Sequence, residues 1–324
     1  MTLALVAQKY AVAISPTLEA LIDSTDLSDP IARQFLPDIA ELIETAAERF
    51  DPIGDGAHET APGIIHRHRD RVLFKAVSSC PVYCRFCFRR EQIGPGKANH
   101  LSSEDFERAF GYVQDHPEIY EVILTGGDPF ILSPRRAKQI TRRLAAIGHV
   151  KIVRWHTRVP MVDPERVSDD FVAALMAPDV TSWVAIHANH PREFSPQAKR
   201  ALARLADAGI PLVSQTVLLR GVNDTVETLI ALMKAFVENR VKPYYLHHPD
   251  LARGTSHFRL GIDEGLALTR ALRGGLSGLA QPTYVLDIPG GFGKVPLDSA
   301  NVEKTAVGYR IRDFSGVWHN YIAG

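Results

Sequence analysis

Seven apolar, β-branched runs recur along this 324-residue chain: RVLFKAV, EVILTG, KIVRWHT, SWVAIHA, PLVSQTVLL, KPYYLHH and TYVLDIP. Segments with helical periodicity separate them. Among these, SEDFERAFGYVQDH, PRRAKQITRRLAAIG and PQAKRALARLADAG open on Ser or Pro, and the last two close on Gly, as helix ends require. Strand followed by helix, repeated, implies a parallel sheet. Right-handed crossovers either curl such a sheet into a full or partial barrel or split it into a doubly wound open sheet, and the expectation here is an α/β fold built on a partial (β/α) barrel. Residues 1–65 precede it as a helical extension, in which LEALIDS and FLPDIAELIETAAERF carry apolar positions at helical spacing and DPIGDGAHETAPG reads as a loop. Residues 66–280 make the barrel, and 281–324 a C-terminal segment packed on it.

In either sheet, chemistry belongs at the carboxyl ends of the strands. The unusual residues fall there. Three cysteines follow RVLFKAV, Gly126, Gly127 and Asp128 follow EVILT, His187 and Asn189 end SWVAIHA, and Asp250 follows KPYYLHH. Cys80, Cys84 and Cys87 are the only cysteines in the chain, an odd number within eight residues, which is a ligand pattern and not a disulfide framework. Soft thiolates spaced C-x-x-x-C-x-x-C suit an iron–sulfur cluster or zinc. Zinc wants a fourth protein ligand, for which His66, His68 or His100 would serve, whereas three thiolates on four irons leave one iron open.

Composition narrows the partners. The 37 basic residues balance 37 acidic ones, which removes the broad positive field of a protein that tracks nucleic acid. No apolar run approaches the roughly 20 residues that cross a bilayer, so neither nucleic acid nor membrane is expected as a partner, and the expected location is cytoplasmic. The glycine-rich PGGFGK at 289–294 is not a phosphate-cradling P-loop, because Ile288 and Val295 stand where that motif needs Gly and Ser or Thr. It does let the backbone approach a ligand just before a lysine.

The cysteine spacing resembles the signature of the radical S-adenosylmethionine superfamily, in which the open iron of a [4Fe–4S] cluster binds S-adenosylmethionine. Phe86, before the last cysteine, matches a residue that lies against the adenine, and Gly126, Gly127 and Asp128 resemble the motif that receives the methionine amino group. From about residue 30 the chain resembles the lysine 2,3-aminomutase family in DRVLFKAVSSCPVYCRFCFRR, ILTGGDP, IHANHP, SQTVLLRGVND, VKPYYLHHPD and VLDIPGGFGK. That resemblance implies a second cofactor, pyridoxal 5′-phosphate, held by Lys294 as catalytic residue, with Arg71 on its phosphate. It implies Arg89 on the substrate carboxylate, Asp250 and Asp287 on a distal ammonium, and His187 and Gln215 near S-adenosylmethionine. Where the family usually has tyrosine before the arginine, this chain has His68.

The implied activity is an isomerase interconverting L-lysine and β-lysine by 2,3-amino migration, with a flavodoxin- or ferredoxin-type electron donor. Dedication of the product to elongation factor P, and an aminomutase acting on another amino acid, stay open beside it. A structural metal-binding module is the reading from outside enzymology. Larger family members carry C-terminal zinc-binding cysteines; IRDFSGVWHNYIAG has none, so no structural zinc is expected and their homo-oligomeric state does not simply transfer. Without the resemblance, Arg71 reads as a solvated strand-start arginine, Asp250 as a turn residue or helix cap, Asp287 as a loop carboxylate, and His187 or Gln215 as hydrogen-bonded core.

Overall fold

A computed structural model describes residues 3–26, 28–94, 101–297, 301–313 and 316–322. Ten strands form one sheet: β1 (Glu59–Ala61), β2 (Ile64–His68), β3 (Arg71–Val77), β4 (Glu121–Gly126), β5 (Ile152–Thr157), β6 (Thr181–His187), β7 (Leu212–Val217), β8 (Val241–His247), β9 (Thr283–Ile288) and β10 (Gly293–Pro296). Each strand pairs with the next in sequence, and β3 to β9 are all parallel. A doubly wound sheet reverses its order at a switch point, so this consecutive order excludes it and makes the sheet a partial barrel. The seven strands legible in the sequence are β3 to β9. The antiparallel flanks β1–β2 and β10 are not legible there, since β1 lies inside the stretch read as loop and β10 is four residues long. Strands β11 (Val302–Thr305), β12 (Gly308–Arg312) and β13 (Trp318–Tyr321) make a separate small antiparallel sheet.

Alternation along the strands divides apolar support from polar interior. On β3, Phe74 packs against Phe106 and Phe110 of helix Ser103–Asp115, while Arg71, Leu73 and Lys75 point to the opposite face. On β5, Val153 and Trp155 join the main core and His156 faces inward. On β8, β9 and β10, Leu246, Leu286 and Val295 join a second core, leaving Tyr245, His247, Asp287 and Lys294 on the inner face. The barrel interior is therefore polar and partly open, unlike the filled interior of a closed eight-stranded barrel. No helix among the described residues is long and apolar enough to cross a membrane.

The long helix expected across FLPDIAELIETAAERF does not form. Helix Pro30–Phe35 stops at Leu36, which is extended (φ −87°, ψ 141°) because Pro37 follows it, and only a short 3-10 turn, Ile39–Leu42, comes after. LEALIDS likewise yields only Pro16–Glu19. Tertiary contacts override the periodicity: Glu41 is fully buried and accepts from Arg85 Nη2 at 2.5 Å, Arg85 Nε at 2.9 Å and Arg90 Nη2. Both arginines belong to the cysteine segment, so the N-terminal chain is tied to it. Glu41→Gln leaves two buried cations undercompensated, and a loss of about 3–5 kcal/mol is expected. Denaturant unfolding measures it; a change under 1 kcal/mol would contradict the role given to Glu41.

Candidate active site

The cysteine loop leaves the end of β3 and is braced by the N-terminal chain, with Tyr83 N donating to Ala13 O at 3.2 Å and Arg85 N to Gln34 O at 2.8 Å. Cys87 N turns back to Cys84 O at 3.1 Å. Burial, then the charges of Asp128 and the other two thiols, pushes the Cys80 thiol well up. Burial and Cys84 push Cys87 up to about 11. Three thiols within electrostatic reach of one another, on one loop, have the donor chemistry of an iron–sulfur cluster. His66, considered above as a zinc ligand, instead lies with Nδ1 2.8 Å from Tyr112 Oη on helix Ser103–Asp115. His100 lies outside the described residues.

The turn after β4 is pressed onto this loop. A Cβ on Gly127 would stand 2.2 Å from Ser79 O, so only glycine allows the approach. Asp128 is buried, and its carboxylate accepts from Thr157 Oγ1 (2.7 Å), Arg158 N (2.7 Å) and Phe130 N (3.0 Å), tying β4 to the end of β5. Its side chain thus shapes the turn and leaves ligand contact to the backbone. Phe86 meets Phe258 edge to face, centroids 6.1 Å apart. His187 on β6 stands in register with Gln215 on β7, which stands in register with Tyr245 on β8.

Further along the inner face, Lys294 and Asp287 are direct partners in the β9–β10 register, so their side chains share a side and form an ion pair. Lys294 Nζ also lies 3.1 Å from His247 Nδ1 and 5.4 Å from the Tyr245 ring centre. Burial would raise Asp287, but Lys294 and then His247 outweigh it and hold the carboxyl well below the usual range. Asp250, pushed up to about 8 by burial and by Asp287, is drawn back by Lys294 and Arg89. Burial, then Lys294, lowers His247 to about 4, so it is neutral at physiological pH.

Arg89 is buried and donates to Asp55 at 2.5 Å, while Asp55 also accepts from Arg67 at 3.1 Å. A cavity of about 530 Å³ opens beside them, lined by Lys75, Ser78 and Gly126 as well. Gly54, at φ +70°, brings the loop that carries Asp55 onto the glycine loop before Lys294; a Cβ there would lie 2.5 Å from Gly291 N. Arg71 stands apart at the start of β3, bound to Asp70 at 2.7 Å, and its charge reaches the site through Tyr245 and His68. Burial, then Arg71 and Arg67, lowers His68 to about 4.

Among the described residues, several buried nitrogens have no hydrogen-bond partner: Arg89 Nε and the Nε2 atoms of His156, His187 and His247. Unpaired buried donors and acceptors around an amine and a guanidinium fit an anionic, heteroatom-rich ligand such as a pyridoxal phosphate with its amino acid. Sequence reasoning missed Asp55, His247 and Arg158. Asp55 sits in a Gly-Asp-Gly turn, and His247 and Arg158 read as ordinary strand ends, so nothing local marked them.

Three cysteines after the first parallel strand, a glycine turn pressed on them and a polar barrel interior define a radical S-adenosylmethionine enzyme, and the Radical SAM superfamily profile matches residues 76–233. Over 310 residues the chain is 37% identical to an L-lysine 2,3-aminomutase of Fusobacterium nucleatum, covering 95% of this chain and 72% of that protein. The L-lysine 2,3-aminomutase of Clostridium subterminale is 38% identical over 95% of this chain and 74% of its own length. A glutamate 2,3-aminomutase of Clostridioides difficile is 37% identical over 90% and 68%. The chain belongs to the lysine 2,3-aminomutase family, and it is an enzyme of the isomerase class.

Proposed function

We propose that this enzyme interconverts L-lysine and β-lysine, moving the amino group between carbons 2 and 3 with S-adenosylmethionine, a [4Fe–4S] cluster and pyridoxal 5′-phosphate. The carrying observation is Lys294 set against two carboxylates, Asp287 and Asp250, on the inner face of a barrel with three cysteines at its strand ends. When bound, the cluster and S-adenosylmethionine supply hydrogen abstraction and return, and the pyridoxal ring stabilises the migrating amine.

The residues divide the remaining work. Cys80, Cys84 and Cys87 would hold the cluster, Phe86 would lie against the adenine, the backbone at 126–128 would take the methionine amino group, and His187 and Gln215 would lie near S-adenosylmethionine. Lys294 is the amine that holds pyridoxal phosphate, and neutral His247, 3.1 Å away, is placed to accept its proton at Nδ1. Arg71 takes the phosphate. Arg89, steadied by Asp55, takes the amino acid carboxylate through its unpaired Nε edge. Once Lys294 is engaged elsewhere, Asp287 and Asp250 are left to bind a substrate ammonium. The same pair repels a glutamate side chain, which favours lysine over the substrate named for the Clostridioides difficile relative.

Asp250 faces Asp287, Lys294, Arg89 and Asp55 and titrates near 8, while the lysine side chain keeps its charge to about 10.4. Below about pH 8 Asp250 carries a proton and binds ammonium weakly; above it, the carboxylate is ionised. Accordingly kcat/KM for lysine is expected to rise through about pH 8, and Asp250→Asn should flatten the rise. Anaerobic assay of the reconstituted enzyme with labelled lysine tests the whole reading; no labelled β-lysine would overturn it.

A further inference from the structure

Arg158, just past the end of β5, is used by nothing assigned so far. It is buried, with 7% of its surface exposed. Its Nη2 is pinned between Glu193 Oε2 at 2.8 Å and Gln34 Oε1 at 2.9 Å. Its Nη1 is thereby aimed at Cys84, 3.7 Å from Sγ. The guanidinium lies 5.4 Å from the Phe86 ring centre and 5.1 Å from that of Phe35, and its backbone N–H donates to Asp128 at 2.7 Å. One cation therefore joins the cysteine loop, the glycine turn and the N-terminal chain.

Its anchors are fixed in turn. Glu193, fully buried, accepts from the backbone of Asn189 (2.8 Å) and His190 (2.9 Å) through the oxygen that Arg158 leaves free, and Gln34 Oε1 also accepts from Asn189 Nδ2 at 3.0 Å. Arg158 cannot swing toward solvent without stranding Glu193. The fork's geometry puts the positive end on the sulfur side and the carboxylate beyond it, an arrangement a structural ion pair alone does not require.

Resting on the reading that the three cysteines hold an iron–sulfur cluster, we propose that Arg158 is a positioning residue that sets the cluster's potential: it donates an N–H to the ligating sulfur of Cys84 and holds a fixed positive charge there, favouring the reduced cluster. Hydrogen bonds to cluster sulfurs and buried charge are recognised levers on such potentials. A fixed charge matters most where water is excluded, since little else screens the electron the cluster gains. Its place against the Phe86 ring, beside Cys84, also puts Arg158 where loss of its charge acts first on the cysteine loop.

The test is an anaerobic redox titration of the reconstituted full chain, with dithionite as one-electron donor and the reduced cluster read by electron paramagnetic resonance. Arg158→Met is expected to lower the reduced-to-oxidised ratio at a fixed potential at least tenfold, a shift of about 59 mV to lower potential. Because that variant strands buried Glu193, the double variant Arg158→Met with Glu193→Gln is titrated beside it; it keeps the net charge and should shift the same way by a smaller amount. Arg158→Lys, which keeps the charge, should restore most of the potential. Full iron and sulfide content with an unchanged midpoint in the variants that fold overturns the proposal. Absence of iron and sulfide from the unsubstituted protein would instead remove the cluster reading on which it rests.

Discussion

Lys294→Ala is expected to lose at least about 10⁴-fold in kcat/KM, in the range found when a covalent catalytic group is removed. The reason lies in what surrounds the amine. Lys294 is held by the β9–β10 register directly opposite Asp287, with a neutral imidazole 3.1 Å from Nζ, so an amine at this point can be both fixed and deprotonated. Lys294→Arg separates this role from charge. An arginine would keep the ion pair with Asp287 but cannot give up its proton, so it should be as inactive as the alanine variant while folding normally. Turnover and the pyridoxal phosphate retained after gel filtration are the two readouts. An arginine variant with near-normal turnover and bound cofactor would refute the assignment.

Asp287→Asn is expected to cost about 2–5 kcal/mol in lysine recognition, roughly 30- to 5,000-fold in kcat/KM, the range for truncating one partner of a buried charge pair. The effect should fall mainly on KM. Asp287 is the strongly acidic member of the carboxylate pair and the one already in contact with an ammonium, that of Lys294. Lys294 keeps its place opposite residue 287 in the β9–β10 register. The loss therefore reports on the substrate's own ammonium. A lysine analogue without the distal amine supplies the control: its poor turnover should be nearly unaffected by the substitution. Equal losses for lysine and the analogue would mean that Asp287 supports the site only through Lys294.

The two variants probe the site from opposite sides of one contact, because Lys294 and Asp287 form an ion pair. A double-mutant comparison is expected to be non-additive, as for any pair in contact. The buried link from Asp55 to Arg89 has the same character at the carboxylate end. There, on the proposed reading, a substrate carboxylate would meet an arginine that already has one anionic partner, so its orientation, more than its charge, is what the protein supplies.

How much of this was legible in the chain follows from how local each signal is. Strands β3 to β9 were readable because β-branched runs and capped helices are short-range patterns, and the cysteines because their spacing is itself the ligand geometry. Lys294, Asp250 and Asp287 were marked only by family resemblance; alone, each is a charged residue near a loop. The helix expected across FLPDIAELIETAAERF failed because Pro37 and the buried pairing of Glu41 with Arg85 and Arg90 outweigh periodicity. Asp55, His247 and Arg158 had no signal at all, since their partners lie 34, 47 and 74 residues away along the chain.

By itself, then, the sequence determined the order of β3 to β9 with the helices between them, and the three thiols, because hydrophobic periodicity, capping and ligand spacing act over a few residues. Only the tertiary structure decided which charges meet. A carboxylate's partner and its pKa depend on burial and on neighbours brought in by the curl of the sheet, and those are set by register and packing across the whole partial barrel.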